Sequence, residues 1–251
     1  MDQHTKGIFK GKIGYHLSKI APKNYPIRIN LTNGLSFIVR SRTMDRSVVK
    51  EVWLKNIYNK HGVKVEKGDT VIDIGAHIGV FSVYAAELSE SGKVYAFEPF
   101  IENFRALENH KMLNKKDNLF IFNKGISNKD GVQTLHLSAD NNTGGHSLHL
   151  KNDSTRTVEI QTTTLAAFCE KEKITKIDFL KLDCEGAEFE ILKASESVLK
   201  LVNKIVMECH PYGNETVDGV VKILESNNFI VVRESDNFPN GIEMLYAIRK
   251  K

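Results

Sequence analysis

Cysteine is scarce in this 251-residue chain. Cys169, Cys184 and Cys209 are odd in number and show no C-x-x-C spacing. That excludes a disulfide framework and reads as reduced thiols of a cytoplasmic protein. No apolar run approaches the roughly 20 residues that cross a bilayer as a helix. The first twenty residues carry spaced lysines and no uninterrupted apolar stretch, which argues against a secretory signal. Internal repeats and low-complexity segments are missing. So is any interleaving of basic and aromatic residues, and nucleic acid is therefore not the expected partner.

What remains is the composition of a well-cored soluble protein, 41% apolar and 26% charged. Its net charge of +4 is unevenly placed. Residues 1–50 hold ten Lys/Arg against Asp2 and Asp45, a net of +8, and the remainder carries −4. A basic arm of that kind reads as a solvated leader or as a surface for an anionic partner or substrate.

Residues 1–25 show no clear periodicity. Arg28–Leu31 and Leu35–Val39 alternate around Asn33-Gly34, a hairpin signal. Asp45 stands as the N-cap of a predicted helix over 46–60, with Val48, Val49, Val52, Trp53 and Ile57 as its apolar stripe and His61-Gly62 as its stop. From residue 69 the pattern alternates. Strands are predicted at 70–74, 93–97, 119–123, 177–182 and 203–208, with helices at 78–89, 100–113, 164–172, 187–201 and 215–227 between and after them. Period-2 stretches at 132–137 and 157–162 flank Asp140–Gly145 and predict a long inserted hairpin. Strands at 228–233 and 244–249, joined by a turn over Phe238–Gly241, close the chain, and one of them must run antiparallel. Alternating βα units imply a mostly parallel sheet covered on both faces. The expected division is a basic arm and cap over 1–68 and a ligand-binding domain over 69–251.

The first strand runs into Asp73-Ile-Gly-Ala-His-Ile-Gly79, and the second ends on Phe97-Glu98-Pro99. Gly75 removes the Cβ that would block backbone from a ligand, and the helix that follows offers unpaired N–H groups. Glu98, 23 residues beyond Gly75, can accept both ribose hydroxyls of a nucleoside. A nicotinamide dinucleotide prefers G-x-G-x-x-G, and the middle glycine is missing here. Asp73 is also a poor neighbour for pyrophosphate. S-adenosylmethionine (SAM), with an ammonium for Asp73 and a carboxylate for the helix start, fits better.

Together with Lys181-Leu-Asp-Cys-Glu-Gly-Ala-Glu188 and Glu208-Cys-His210, these residues resemble the FkbM family of SAM-dependent methyltransferases, over about 69–250. The resemblance implies an α/β, Rossmann-like class I methyltransferase fold. Its sheet would have seven mostly parallel strands with one antiparallel, behind an N-terminal hairpin/helix cap and an inserted β-hairpin. It implies O-methylation of a hydroxyl on a small molecule, sugar or glycan. Its cofactor residues would be Asp73, Gly75, Ala76, His77, Gly79, Glu98, Pro99, Gly125, Ile126, Ser127 and Asp183, with Ser127 and Ile126 at the adenine. The family commonly has Asn where His77 stands.

Chemistry in an open α/β sheet sits beyond the C-terminal strand ends. That gathers Asp183, Glu185, Glu188, Glu208 and His210. Methyl transfer needs alignment, and a hydroxyl acceptor also gains from a base. His210 and Asp183 are the candidates, with Glu208 orienting His210, Lys181 tuning Asp183, and Glu185 functional on the resemblance. Glu188 serves there or merely at the helix dipole. Metal-ligand spacing is absent, so neither a metal-assisted reaction nor a zinc site from Cys184, Cys209 and His210 is expected. His146 follows Gly144-Gly145 in a loop and faces substrate or water. The competing readings are a dinucleotide oxidoreductase and a non-catalytic SAM-binding module.

Overall fold

The computed structural model describes residues 8–10, 13–139, 141–149, 156–235 and 241–250. Asp2, Lys6, Lys12, Asp140 and most of the 238–241 turn lie outside them. The chain begins with α1 (Ile13–Ile20), in a stretch where no periodicity is read, and continues into the hairpin β1 (Pro26–Asn30) and β2 (Ser36–Arg40). Next comes α2 (Asp45–Lys50), which runs into a π-turn over Glu51–Lys55. The helix expected to reach residue 60 therefore stops early, where Asn56 turns left-handed at φ 52°. Met44, not Asp45, is the N-cap. The Asp45 carboxylate turns back instead to the Arg40 backbone N–H and guanidinium, at 2.8–2.9 Å.

The alternating core follows: β3 (Thr70–Ile74), α3 (Val80–Ser89), β4 (Lys93–Phe97), α4 (Ile101–Leu113) and β5 (Leu119–Phe122). The insertion contributes β6 (Gly125–Ile126), β7 (Gly131–Leu137) and β8 (Arg156–Thr163). The expected hairpin is β7 against β8, and β6 joins β8 in parallel to make three strands. The core resumes with α5 (Leu165–Lys171), β9 (Ile177–Leu182), α6 (Glu188–Ala194), α7 (Glu196–Leu199), β10 (Val202–Cys209), α8 (Val217–Ser226), β11 (Phe229–Glu234) and β12 (Glu243–Arg249). One predicted helix over 187–201 is thus two, broken at the buried Ser195.

The main sheet has seven strands in the order β11-β12-β10-β9-β3-β4-β5, with β12 antiparallel to both neighbours and the rest parallel. It is the Rossmann-like sheet expected, seven strands with one antiparallel. The order reverses between β3 and β9, the switch point beyond which α/β sheets bind ligands. Every residue of β9 is buried, as a central parallel strand covered on both faces demands. One face of the sheet packs against the cap: Phe37, Val39, Val49 and Val52 share a core with Val71, Phe179 and Tyr246. Polar ties fix that docking. His110 on α4 accepts the Ile38 N–H at 2.8 Å and donates to the Ile78 carbonyl at 2.6 Å, while the Tyr246 hydroxyl donates to the Ile57 carbonyl at 2.7 Å. The opposite face carries a second core under α5–α8.

Candidate active site

The tips of β3, β4, β9 and β10 open into one cavity of about 1160 Å³, its mouth included. At one end, Glu98 closes the tip of β4. Its Oε2 accepts the His77 N–H at 2.8 Å and its Oε1 accepts the Phe100 N–H at 2.9 Å. Each oxygen keeps a lone pair for a further donor. Burial pushes the Glu98 carboxyl up to about 7, against the pull of those two backbone bonds. The group is thus short of donors, and a ribose diol supplies two.

His77 sits beside it in the left-handed region at φ 51°, and its proton can be placed. The Thr143 hydroxyl donates to Asp45 Oδ1 at 2.7 Å, so its oxygen is free to accept. His77 Nε2 lies 3.0 Å from that oxygen and is therefore the protonated nitrogen. Burial pushes the ring down to about 4, which keeps it neutral. Nδ1 is left as a buried acceptor with no partner. Glu98 and His77 together present acceptors to a hydroxylated ligand, which fits the nucleoside half of SAM. Thr143 belongs to the insertion and Asp45 to the cap. Asn103 of α4 joins them by donating to the Thr143 carbonyl at 2.9 Å.

Three expectations are corrected here, at Asp73, Gly79 and Ser127. Asp73 does not wait for a ligand ammonium: it is fully buried, 3.0 Å from Lys181 Nζ, and accepts the Ser82 hydroxyl at 2.6 Å. Gly75 (φ 77°) does line the cavity, and its missing Cβ is also required by the neighbouring strand, since one there would collide with the Asp183 carbonyl. Gly79 makes room for Leu107 of α4. Ser127 is buried away from the cavity and accepts from the Gln133 amide at 2.8 Å. Ala76, His77, Glu98, Pro99, Gly125 and Ile126 do line it.

At the other end, Asp183, Glu185, Glu208, Cys184 and Lys181 form the wall. Asp183 accepts the Tyr58 hydroxyl at 3.0 Å and lies 3.7 Å from Lys181 Nζ. Burial works against the Lys181 charge, but Asp73 and Asp183 overcome it and hold the ammonium above its ordinary pKa. Burial, then the charge of Asp183, pushes Glu208 up to about 8. His210 points its Nδ1 at Glu188 Oε1 (3.2 Å) and the Glu208 carbonyl (3.1 Å), with Nε2 3.6 Å from Glu208 and 3.7 Å from Glu185. Burial opposes its charge, yet Glu188 and Glu185 outweigh it and lift the ring to about 10. The same pairing, against burial, holds Glu188 below its ordinary value. His210 is thus an imidazolium near neutral pH, and a ring already protonated cannot act as the base. Glu188 is its buried counter-ion and also accepts the Cys184 and Gly186 N–H groups.

Asp183, Glu185 and His210 offer ligand atoms within 4.8 Å of one another, a geometry the spacing does not reveal. A cation there would have to displace the His210 proton. Cys184 and Cys209 are held as thiols, burial raising both.

Other lining residues carry no motif. Met44, Val48, Glu51 and Tyr58 come from the cap, and Leu135, Asn142, Gly144, His146 and Leu148 from the insertion. His146 faces the cavity, packed edge-on to Phe100 at 4.6 Å, and burial pushes it down to about 4. The glycines at 144 and 145 are the nearest thing to a sequence signal for that loop.

The switch-point cavity, the buried Glu98 at the tip of β4 and the charged tips of β9 and β10 fit a class I methyltransferase site. Residues 73–231 match the methyltransferase FkbM domain, and the chain belongs to that family. It is a methyltransferase with SAM as its cofactor, which removes the dinucleotide alternative. It is 25% identical to 31-O-demethyl-FK506 methyltransferase FkbM of Streptomyces tacrolimicus, over 86% of this chain and 94% of that one. It is 26% identical to hexuronic acid methyltransferase AglP of Haloferax volcanii, over 64% and 67%. Among solved structures it is similar to magnesium protoporphyrin IX methyltransferase (ChlM) from Synechocystis PCC 6803 with bound SAM. That likeness has 15% identity and a TM-score of 0.44 over 73% of this chain and 71% of that one. Among the described residues, no helix is long and apolar enough to cross a membrane.

Proposed function

We propose that the protein methylates a hydroxyl of a small, neutral, sugar-like acceptor. Bound SAM supplies an electrophilic methyl group on a sulfonium. The chain aligns the acceptor and receives its proton. The observation that carries the reading is the carboxyl pair Asp183 and Glu208 at the cavity wall, the first fixed by the Tyr58 hydroxyl. Asp183 takes the hydroxyl proton, beside Glu208, which burial and the charge of Asp183 hold mainly as the neutral acid. Lys181 and Tyr58 hold Asp183 in place, and the His210 imidazolium offsets Glu185 and Glu188.

Glu51, Asp183 and Glu185 line the cavity with Lys181 as the neighbouring cation, and Glu208 beside them is held mainly neutral. That balance favours a neutral polyol over an anionic acceptor. The 31-O-demethyl substrate in one relative's name supports oxygen as the methylated atom, and the hexuronic acid in the other's supports a sugar-like acceptor, there an anionic one. The test is a panel of hydroxylated acceptors incubated with isotopically labelled SAM, with products read by mass spectrometry. Label on the oxygen of a neutral sugar-like compound is expected. Label on nitrogen or carbon alone would overturn the reading.

A further inference from the structure

The first helix of the basic arm takes no part in the site described above, and it is docked in an unusual way. An eight-residue amphipathic helix ordinarily buries its apolar stripe. Here α1 does the reverse. Its inward face is Gly14 and Ser18, flanked by the half-buried Tyr15, which stacks on Phe9 at 4.8 Å. A Cβ at Gly14 would collide with the Arg28 carbonyl of β1, and Ser18 is buried with its own carbonyl accepting the Arg42 N–H at 3.0 Å. Only small residues can sit there, so the rotation of the helix is fixed. Its apolar stripe, Ile13, Leu17 and Ile20, is forced outward at 75%, 42% and 69% exposure, continued by Tyr25 at 56%. Lys10, Lys19, Lys23 and Arg42 are exposed around it, and no acidic residue lies between Asp2 and Asp45.

We propose that this face docks on an anionic lipid bilayer, lying in its interface without spanning it. Apolar side chains ringed by cations suit that environment, since the aliphatic groups enter the acyl boundary while Lys and Arg meet the headgroups. A nucleic-acid backbone would satisfy the cations and leave the aliphatic stripe in water. A second copy seated on the same face would set these cations against one another. The placement also bears on the cavity. Arg42 is bonded to the helix through the Ser18 and Ile20 carbonyls, at 3.0 Å each, and Met44, two residues on, lines the cavity while 42% exposed. Docking would bring that rim towards the membrane surface, within reach of an acceptor held there.

The test is flotation of the full chain with vesicles of phosphatidylcholine alone or mixed equally with phosphatidylglycerol. Binding to the mixed vesicles is expected, weakening as salt shortens the screening length. The triple variant Ile13→Ser, Leu17→Ser, Ile20→Ser should lower it at least about tenfold, and Lys19→Glu with Lys23→Glu by a comparable factor. Both variants should keep the melting-temperature rise given by S-adenosylhomocysteine, which separates lost docking from lost folding or a lost cofactor site. No binding to the mixed vesicles, equal binding by the triple variant, or a wild-type dimer that the triple variant converts to monomer would each overturn the proposal.

Discussion

The two ends of the cavity are built by different means. At the nucleoside end a single carboxylate, Glu98, is fixed by two backbone N–H groups, and the neutral His77 is fixed by a hydroxyl. At the reaction end Asp183, Glu185, Glu188, Glu208, Lys181 and His210 hold one another by charge. An end positioned by backbone keeps its shape when one side chain changes. An end positioned by mutual charge loses balance when any member is removed, because each buried ion depends on its partners.

The contrast can be broken most sharply at Asp183. Asp183→Asn is expected to lower turnover by about 10²–10⁴-fold while leaving the thermal shift with S-adenosylhomocysteine in place. Undiminished turnover would remove Asp183 as the proton acceptor. Next in size, His210→Ala strands Glu188 without its counter-ion and should cost about 3–5 kcal/mol in urea unfolding. The pH dependence has a definite sign. His210 is raised from 6.5 to about 10 in the fold. Its contribution is therefore complete below 6.5 and lost as pH rises through 10. The wild-type melting temperature should accordingly fall more steeply than that of His210→Ala between those limits. Parallel curves would show that the ring is not a stabilising cation.

At the end proposed for the nucleoside, Glu98→Ala should weaken S-adenosylhomocysteine by about 1.5–3 kcal/mol in calorimetry, the worth of hydrogen bonds to a charged group. Glu98 is raised to about 7. A buried carboxyl of this kind stabilises the apo fold below its ordinary value of 4.5, and that contribution is lost as pH rises through 7. Ligand hydroxyls favour the ionised form, so affinity should rise from pH 6 to 8 in the wild type and stay level in Glu98→Gln. Smallest is Thr143→Val, which removes the hydroxyl between His77 and Asp45. It should loosen the insertion by about 1 kcal/mol, seen as faster amide exchange over 141–147. Unchanged exchange would show that this hydroxyl does not hold the loop.

The same contrast explains what was legible in the sequence. Strands 70–74, 93–97 and 177–182 were readable to the residue, because buried parallel strands are continuous apolar runs. Glu98 was legible because a strand tip fixes where its side chain sits. Partnership was not legible. Asp73 has a carboxylate's chemistry whichever amine it meets, and only the register of β3 against β9, which sets it opposite Lys181, decides the matter. His210 read as a base because an unperturbed imidazole would be one, and three glutamates gathered from separate elements change that. Tyr58 is 125 positions from Asp183 along the chain, and no local pattern links them. The break at Ser195 and the early stop at Asn56 are set by tertiary packing and backbone geometry, which helical periodicity does not report.

Gly75 joins the two ends in a way that neither reveals alone. Its missing side chain lets the turn after β3 rest on the carbonyl of Asp183. The spacing between the Glu98 end of the cavity and Asp183, the proposed proton acceptor, is therefore gauged by backbone touching backbone. The cap and the insertion supply most of the remaining wall and take no part in that contact. Exchange of insertion segments should thus leave the Gly75–Asp183 contact intact, whereas a new cap must keep Tyr58, whose hydroxyl fixes Asp183.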